Sequence, residues 1–305
     1  MRTPIAIGLV LLAGEAAAHS GCEGCFEPGS LLSEESLALV LVCVAAGLYA
    51  NGIRRLWIRA GVGRGIRIWQ AACFAAGCLL LLLPFATPLH DLAGRLFVAH
   101  MVEHELLILV AAPLVAVSRP FGAIVWGLPR RWRKATGALA RSARLAAFAA
   151  WASRLGPATF LHGAAVWLWH VPAAYEAALA SPGYHWLQHA TLVGTAVLFW
   201  YAVLVRGLGC RQHGLALFGL FATALHTGFL GILLTAARTP LYPGQSGAAP
   251  DWGLTALEDQ QLAGTIMWVP GGLAYAAAGL VVAALWIRAS GFGAVQEGSS
   301  LAAAR

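Results

Sequence analysis

The sequence predicts an all-α, polytopic membrane helix bundle, with seven transmembrane helices following a cleavable signal peptide. Three observations carry that expectation. Of 305 residues, 59% are hydrophobic and only 11% charged, whereas a soluble domain has about a quarter of its residues charged. So few charges could not cover a water-facing surface. Apolar segments long enough to span recur along the chain. Finally, the basic residues gather in alternate connections between those segments, the asymmetry that fixes orientation in membrane proteins.

The first 18 residues read as a secretory signal. Arg2 supplies a positive start, "IAIGLVLLA" is apolar but too short to span, and "AAA" is a small-residue cleavage site before His19. Residues 19–35 then form an extracytoplasmic tail. The seven spans of the 36–290 transmembrane domain are expected at about 36–53, 68–86, 95–117, 157–174, 184–205, 214–236 and 261–287. Each approaches the roughly 20 residues that cross a hydrocarbon core. Residues 291–305 form a cytoplasmic tail. If the first span starts outside, the inner connections are 54–67, 118–156 and 206–213. Together with the chain from residue 288 onward they hold every Lys and Arg after the signal except Arg95 and Arg238. The amino terminus is therefore expected outside and the carboxyl terminus inside. The stretch "RPFGAIVWGLPRRWRKATGALARSARLAAF" interleaves basic, Trp and apolar residues. Its expected partner is anionic membrane lipid at the inner leaflet, not nucleic acid.

Several classes are excluded. A retinal protein needs a Schiff-base lysine in a span, and Lys134 lies in an inner connection. A methionine-lined copper channel is disfavoured because only Met101 and Met267 lie in spans. There is no G-x-S-x-G, no P-loop and no GxGxxG after a strand, so the chain is read as a non-enzyme.

The chemistry lies in the histidines. His100 and His104 open the third span in "HMVEHELLILVAAP", His170 closes the fourth in "WLWHVPAAYEAAL", and His185 and His189 open the fifth in "YHWLQH". Five imidazoles on three consecutive spans are thus expected at one level near the outer boundary. The i,i+4 spacing of His100/His104 and His185/His189 puts each pair on one helix face. Two such faces offer neutral nitrogen ligands suited to copper, zinc or iron. Glu103 is a further ligand or an acceptor behind the ligands. Glu105 points away by helical phase and is expected to make an interhelical hydrogen bond. The alternative for this set is a satisfied polar network without metal. His90 lies in a short outer connection, His226 is mid-span, and His162 and His213 fall toward the inner side; none joins the set.

The tail "HSGCEGC" places His19, Cys22 and Cys25 together. That set can be a disulfide, a redox pair or a soft-metal site favouring Cu(I). The outer connection 237–260 fits a lid over the histidine layer, with Tyr242 and Trp252 at the membrane interface. It leads into "LTALEDQ", a capped start to the seventh span.

Four stretches in order carry a resemblance: "HMVEHELLILVAAPLVAVSRP", "WLWHVPAAYEAAL", "YHWLQHATLVGTAVLFWYAVL" and "DWGLTALEDQQLAGTIMWVPGG". Over about residues 36–290 the chain resembles the CtaG-type assembly factors of caa-type cytochrome c oxidases. The resemblance implies a bacterial inner-membrane protein acting in oxidase maturation and supporting copper insertion into an outward-facing copper centre. Its implied partners are oxidase subunits and periplasmic copper chaperones. His100, His104, His170, His185 and His189 match the family's histidines. The "CEGC" tail is not part of that pattern, and its role rests on chemistry alone. The expected division of labour is capture by His19, Cys22 and Cys25, then holding by His100, His104, His185 and His189, with His170 and Glu103 additional or supporting. Two other readings stay open: a single-haem b-type electron-transfer protein, and a metal-free membrane chaperone.

Overall fold

A computed structural model describes residues 34–208 and 212–303. The proposed signal peptide and the tail with His19, Cys22 and Cys25 lie outside the described residues. Among the described residues all regular structure is helical, and five helices are long and apolar enough to cross a membrane: Ser36–Ala60, Phe97–Val117, Pro182–Gly207, His213–Thr235 and Ala256–Ser290.

In chain order, α1 (Glu34–Ala60), α2 (Ile68–Leu82), the short α3 (Leu89–Ala93), α4 (Phe97–Glu105), α5 (Ala112–Val117) and α6 (Pro120–Gly127) come first. Next are α7 (Arg130–Ala140), α8 (Ala143–Ala152), α9 (Leu155–Trp169), α10 (Pro172–Ala180) and α11 (Pro182–Tyr201). The last two helices are α12 (His213–Thr235) and α13 (Ala256–Ala303). Two of the seven expected spans are only 15 residues long here, α2 and α9. Each stops just short of a proline: α2 before Pro84, and α9 before Val171–Pro172, where the chain restarts as α10 with Pro172 in its first turn. Val171, ahead of Pro172, is extended (φ −66°, ψ 125°), the conformation a following proline ring favours. Leu83, ahead of Pro84, instead stays in the α region (φ −56°, ψ −43°), and α2 gives way to a turn.

The third span is one rod made of α4, a π-helical turn at Leu106–Ala111, and α5. Pro113 lies two residues past that turn and has no N–H to give. In π register its partner would be the Ile108 carbonyl, and that carbonyl instead accepts from Trp200 Nε1 at 2.8 Å. The wide turn is therefore satisfied from the neighbouring helix.

The main core joins α4, α9, α10, α11, α12 and α13 through Phe97, Val166, Tyr175, Phe199, Leu220 and Tyr275. A second cluster joins α1, α2 and α6 through Tyr49, Ile53, Phe74 and Ala123. Close helix contacts run over small residues, since apolar lipid gives helices no hydrophobic reason to associate and backbone approach must do so. A Cβ on Gly264 would stand 2.6 Å from the Gly231 carbonyl, which is how α13 lies directly on α12. Outward-facing Phe160, Phe218, Leu280 and Ile287 are 66–73% exposed, as a lipid-facing surface requires.

Candidate metal centre

The helix α4 carries His100, Glu103 and His104, and its first turn is fixed from a distance. Leu96, its N-cap residue, has no side chain able to receive the first free N–H groups. Asp259, 162 residues away on α13 and fully buried, does it instead: its carboxylate accepts from Phe97 N at 2.8 Å and Val98 N at 2.9 Å. A buried carboxylate at a helix N-terminus meets both free donors and the positive end of the helix dipole. The start of α13 has its own cap. Glu258 Oε2 accepts from Thr255 N at 2.8 Å while Glu258 N donates to Thr255 Oγ1 at 3.2 Å, the reciprocal box expected from "LTALEDQ".

From this platform four of the expected histidines meet. Ring centroids of His100 and His104 lie 4.2 Å apart, those of His185 and His189 4.6 Å apart, and those of His104 and His189 4.9 Å apart across the α4–α11 interface. His104 Nε2 faces His189 Nε2 at 3.4 Å. Two nitrogens each about 2.0 Å from one tetrahedral ion would stand about 3.3 Å apart, so this pair already has the spacing of a ligand edge. His100 and Glu103 are 2% and 0% exposed.

The sequence reasoning missed His90. Its short helix α3 folds back so that Nδ1–H donates to Glu103 Oε1 at 3.1 Å, and its ring lies 5.6 Å from that of His185. A histidine whose Nδ1 is held by a carboxylate has its Nε2 oriented outward as a ligand. Glu103 thus fills the acceptor role expected of it, toward a partner not foreseen. His189 Nδ1 is 4.0 Å from the same carboxylate oxygen.

His170 stands apart from these rings. Its Nδ1 donates to the Val166 carbonyl at 2.7 Å, and it borders a different cavity. Glu105 also departs from expectation: in place of an interhelical hydrogen bond, its Oε2 is buried without a hydrogen-bond partner, against Gly271 of α13. Among the described residues no three His, Cys, Asp or Glu side chains stand together in ligating geometry. The layer supplies donors and spacing for a pair, and a third ligand requires a side-chain shift.

The connection between α12 and α13 covers the layer. Gln245 donates to the Ala93 carbonyl, Ala248 N to the Arg95 carbonyl at 2.9 Å, and Tyr242 Oη to the His170 carbonyl at 2.6 Å. Tyr242, expected at the membrane interface, is instead 3% exposed and packs on Tyr175 and Phe97. Its hydroxyl has a buried acceptor waiting, which outweighs the interfacial preference. Trp252 is 62% exposed. From the side, an apolar cavity of about 220 Å³ between α1, α2 and α11 ends on His90 and His189.

A family model described as the cytochrome c oxidase caa3 assembly factor matches residues 47–289. The chain belongs to that family. The match takes in His90, His100, Glu103, His104, His170, His185 and His189, and stops short of the tail with His19, Cys22 and Cys25. No curated protein and no solved structure matched the chain.

Proposed function

We propose that this assembly factor holds copper as cargo in the histidine layer and supports metallation of a haem-copper oxidase at the outer face of a bacterial inner membrane. The observation that carries the reading is the convergence of the rings of His90, His100, His104, His185 and His189, with the buried Glu103 carboxylate against His90 and His189. A lone cation in a membrane interior is costly unless paired. A Glu103 carboxylate beside neutral imidazoles offsets the charge of a monovalent ion. His104 and His189 would be the first two ligands, His100 and His185 the next, and His90 a fifth donor steadied by Glu103. His170 would act from the neighbouring cavity. The basic connections mark the opposite end as cytoplasmic, which turns the layer toward periplasmic copper chaperones and toward the oxidase subunits. His19, Cys22 and Cys25 would capture the ion first. The role is delivery and not catalysis.

A b-type haem fits less well. Neighbouring rings pack edge to face at 4.2–4.9 Å, which leaves no slot for a flat macrocycle between them. Copper content of the full-length protein in lipid nanodiscs, with and without His100→Ala and His104→Ala, tests the reading. Copper should drop in the variant. Unchanged copper binding removes the layer as the site, and a Soret band in the native protein would replace copper by haem.

A further inference from the structure

His104 also borders a small cavity deeper in the bundle, about 20 Å³, walled in part by Met101, Glu105, His162, His170 and Met267. That is room for one water-sized occupant. The hydrogen bonds around it fix where the protons sit. His162 Nδ1 lies 3.2 Å from Thr195 Oγ1, and that hydroxyl already gives its own proton to the Thr191 carbonyl at 2.7 Å. Nδ1 of His162 must therefore be the donor. His170 Nδ1 faces the Val166 carbonyl, which can only accept. In both rings the lone pair is left on Nε2, and both Nε2 atoms are buried without a hydrogen-bond partner, as is Glu105 Oε2.

The two imidazole lone pairs and the Glu105 carboxyl have no partner in the fold, so an occupant that accepts electron pairs would be held by them. The remaining wall selects the kind of cation. Met101 and Met267 are 2% and 4% exposed, and thioether sulfur with imidazole suits Cu(I) over hard cations or water. Methionine is also the side chain most able to swing inward onto an ion, which this wall needs, because its donors are not drawn in to ligating distance.

We infer that this cavity is a second, buried Cu(I) site, with His162 Nε2, His170 Nε2 and the sulfurs of Met101 and Met267 as ligands and Glu105 as countercharge. His104 borders both this site and the outer layer and is the point of exchange between them. The inference goes beyond the outer-layer reading and rests on it only for the identity of the cargo.

The test exploits the chain's three methionines, Met1, Met101 and Met267. Biosynthetic selenomethionine places selenium at the inner cavity, while no outer-layer ligand carries it. X-ray absorption at the selenium edge, on the full-length labelled protein in nanodiscs loaded with Cu(I), should show copper at bonding distance from selenium. The signal should persist in His185→Ala/His189→Ala, whatever that variant does to total copper. In Met101→Leu/Met267→Leu it should vanish, with Cu(I) affinity at the inner site falling roughly ten- to a hundredfold. Labelled protein that binds copper with no selenium–copper signal overturns the inner site. So does a signal lost with the outer histidines, which would mean one shared site, or a signal that survives loss of Met101 and Met267, which would place copper at Met1. Loss of the outer copper reading alone leaves the selenium signal in place, so the two proposals fail separately.

Discussion

The histidine layer and the basic helix α7 lie at opposite ends of the bundle, and they are held in opposite ways. His100 and Val117, near the two ends of one rod, are about 25 Å apart at 1.5 Å per residue. At the histidine end, side chains distant in sequence reach for backbone: Asp259 for Phe97 and Val98, Tyr242 for the His170 carbonyl, Gln245 for the Ala93 carbonyl. At the basic end, α7 buries no residue. Its Arg133 lies over the Trp126 ring at 5.2 Å, and Arg131 over Trp132 at 5.7 Å. Imidazoles that must meet one ion need their helices fixed to a fraction of an ångström. A surface that attracts anionic headgroups needs only the right charge in roughly the right plane.

That contrast sets an order of effects. The largest should come from Asp259→Ala, which leaves two buried N–H groups unmet at about 1.5–3 kcal/mol each. Thermal unfolding in nanodiscs should show a loss of about 3 kcal/mol or more, and Asp259→Asn should fall between, since its amide nitrogen cannot accept. An unchanged melting temperature would mean that α4 is not anchored through its cap. Next, His90→Ala strands the buried Glu103 Oε1 and should cost about 1–3 kcal/mol. Copper titration of the same variant should show an affinity roughly ten- to a hundredfold weaker. Tyr242→Phe removes one hydrogen bond and should cost about 1 kcal/mol. Because burial pushes the Tyr242 phenol up to about 12, that loss should be the same at every pH through the neutral range, read from melting curves. Smallest of all, Arg131→Gln on exposed α7 should change stability by no more than about 0.5 kcal/mol. It should still reduce the stabilisation that anionic over zwitterionic nanodiscs confer, by about 1 kcal/mol. A larger effect there than at Asp259 would invert the comparison.

The sequence made some of this legible and hid the rest for identifiable reasons. The His100/His104 and His185/His189 pairs were readable because i,i+4 spacing and membrane depth both follow from helical geometry. His170 turns its Nδ1 back to the Val166 carbonyl and lines a second cavity with His104, because rotation of α9 about its own axis depends on which neighbours it packs against. His90 was hidden because its approach depends on α3 folding back. The only signal was a histidine just past the proline-bounded turn "PFATP", close in sequence to the third span. The Asp259 cap joins residues 162 apart, beyond any local pattern, while the Thr255–Glu258 box was readable because both partners lie within one turn. Span lengths were overestimated at 68–86 and 157–174 because hydropathy averages across the turn that carries Pro84 and across Val171–Pro172, where the backbone becomes extended.

The π-helical turn at Leu106–Ala111 has a geometric corollary for the histidines that precede it. A π turn absorbs about one surplus residue, and each residue of an α-helix advances the azimuth by about 100°. Everything on the amino-terminal side of that turn is thus swivelled by about a quarter-circle relative to an unbroken rod. The azimuth of His100 and His104, and so their aim at α11, is set by a single residue of slack. Excising one residue between 106 and 111 would keep every histidine in the chain and barely alter its hydropathy, yet swing that pair away from His189.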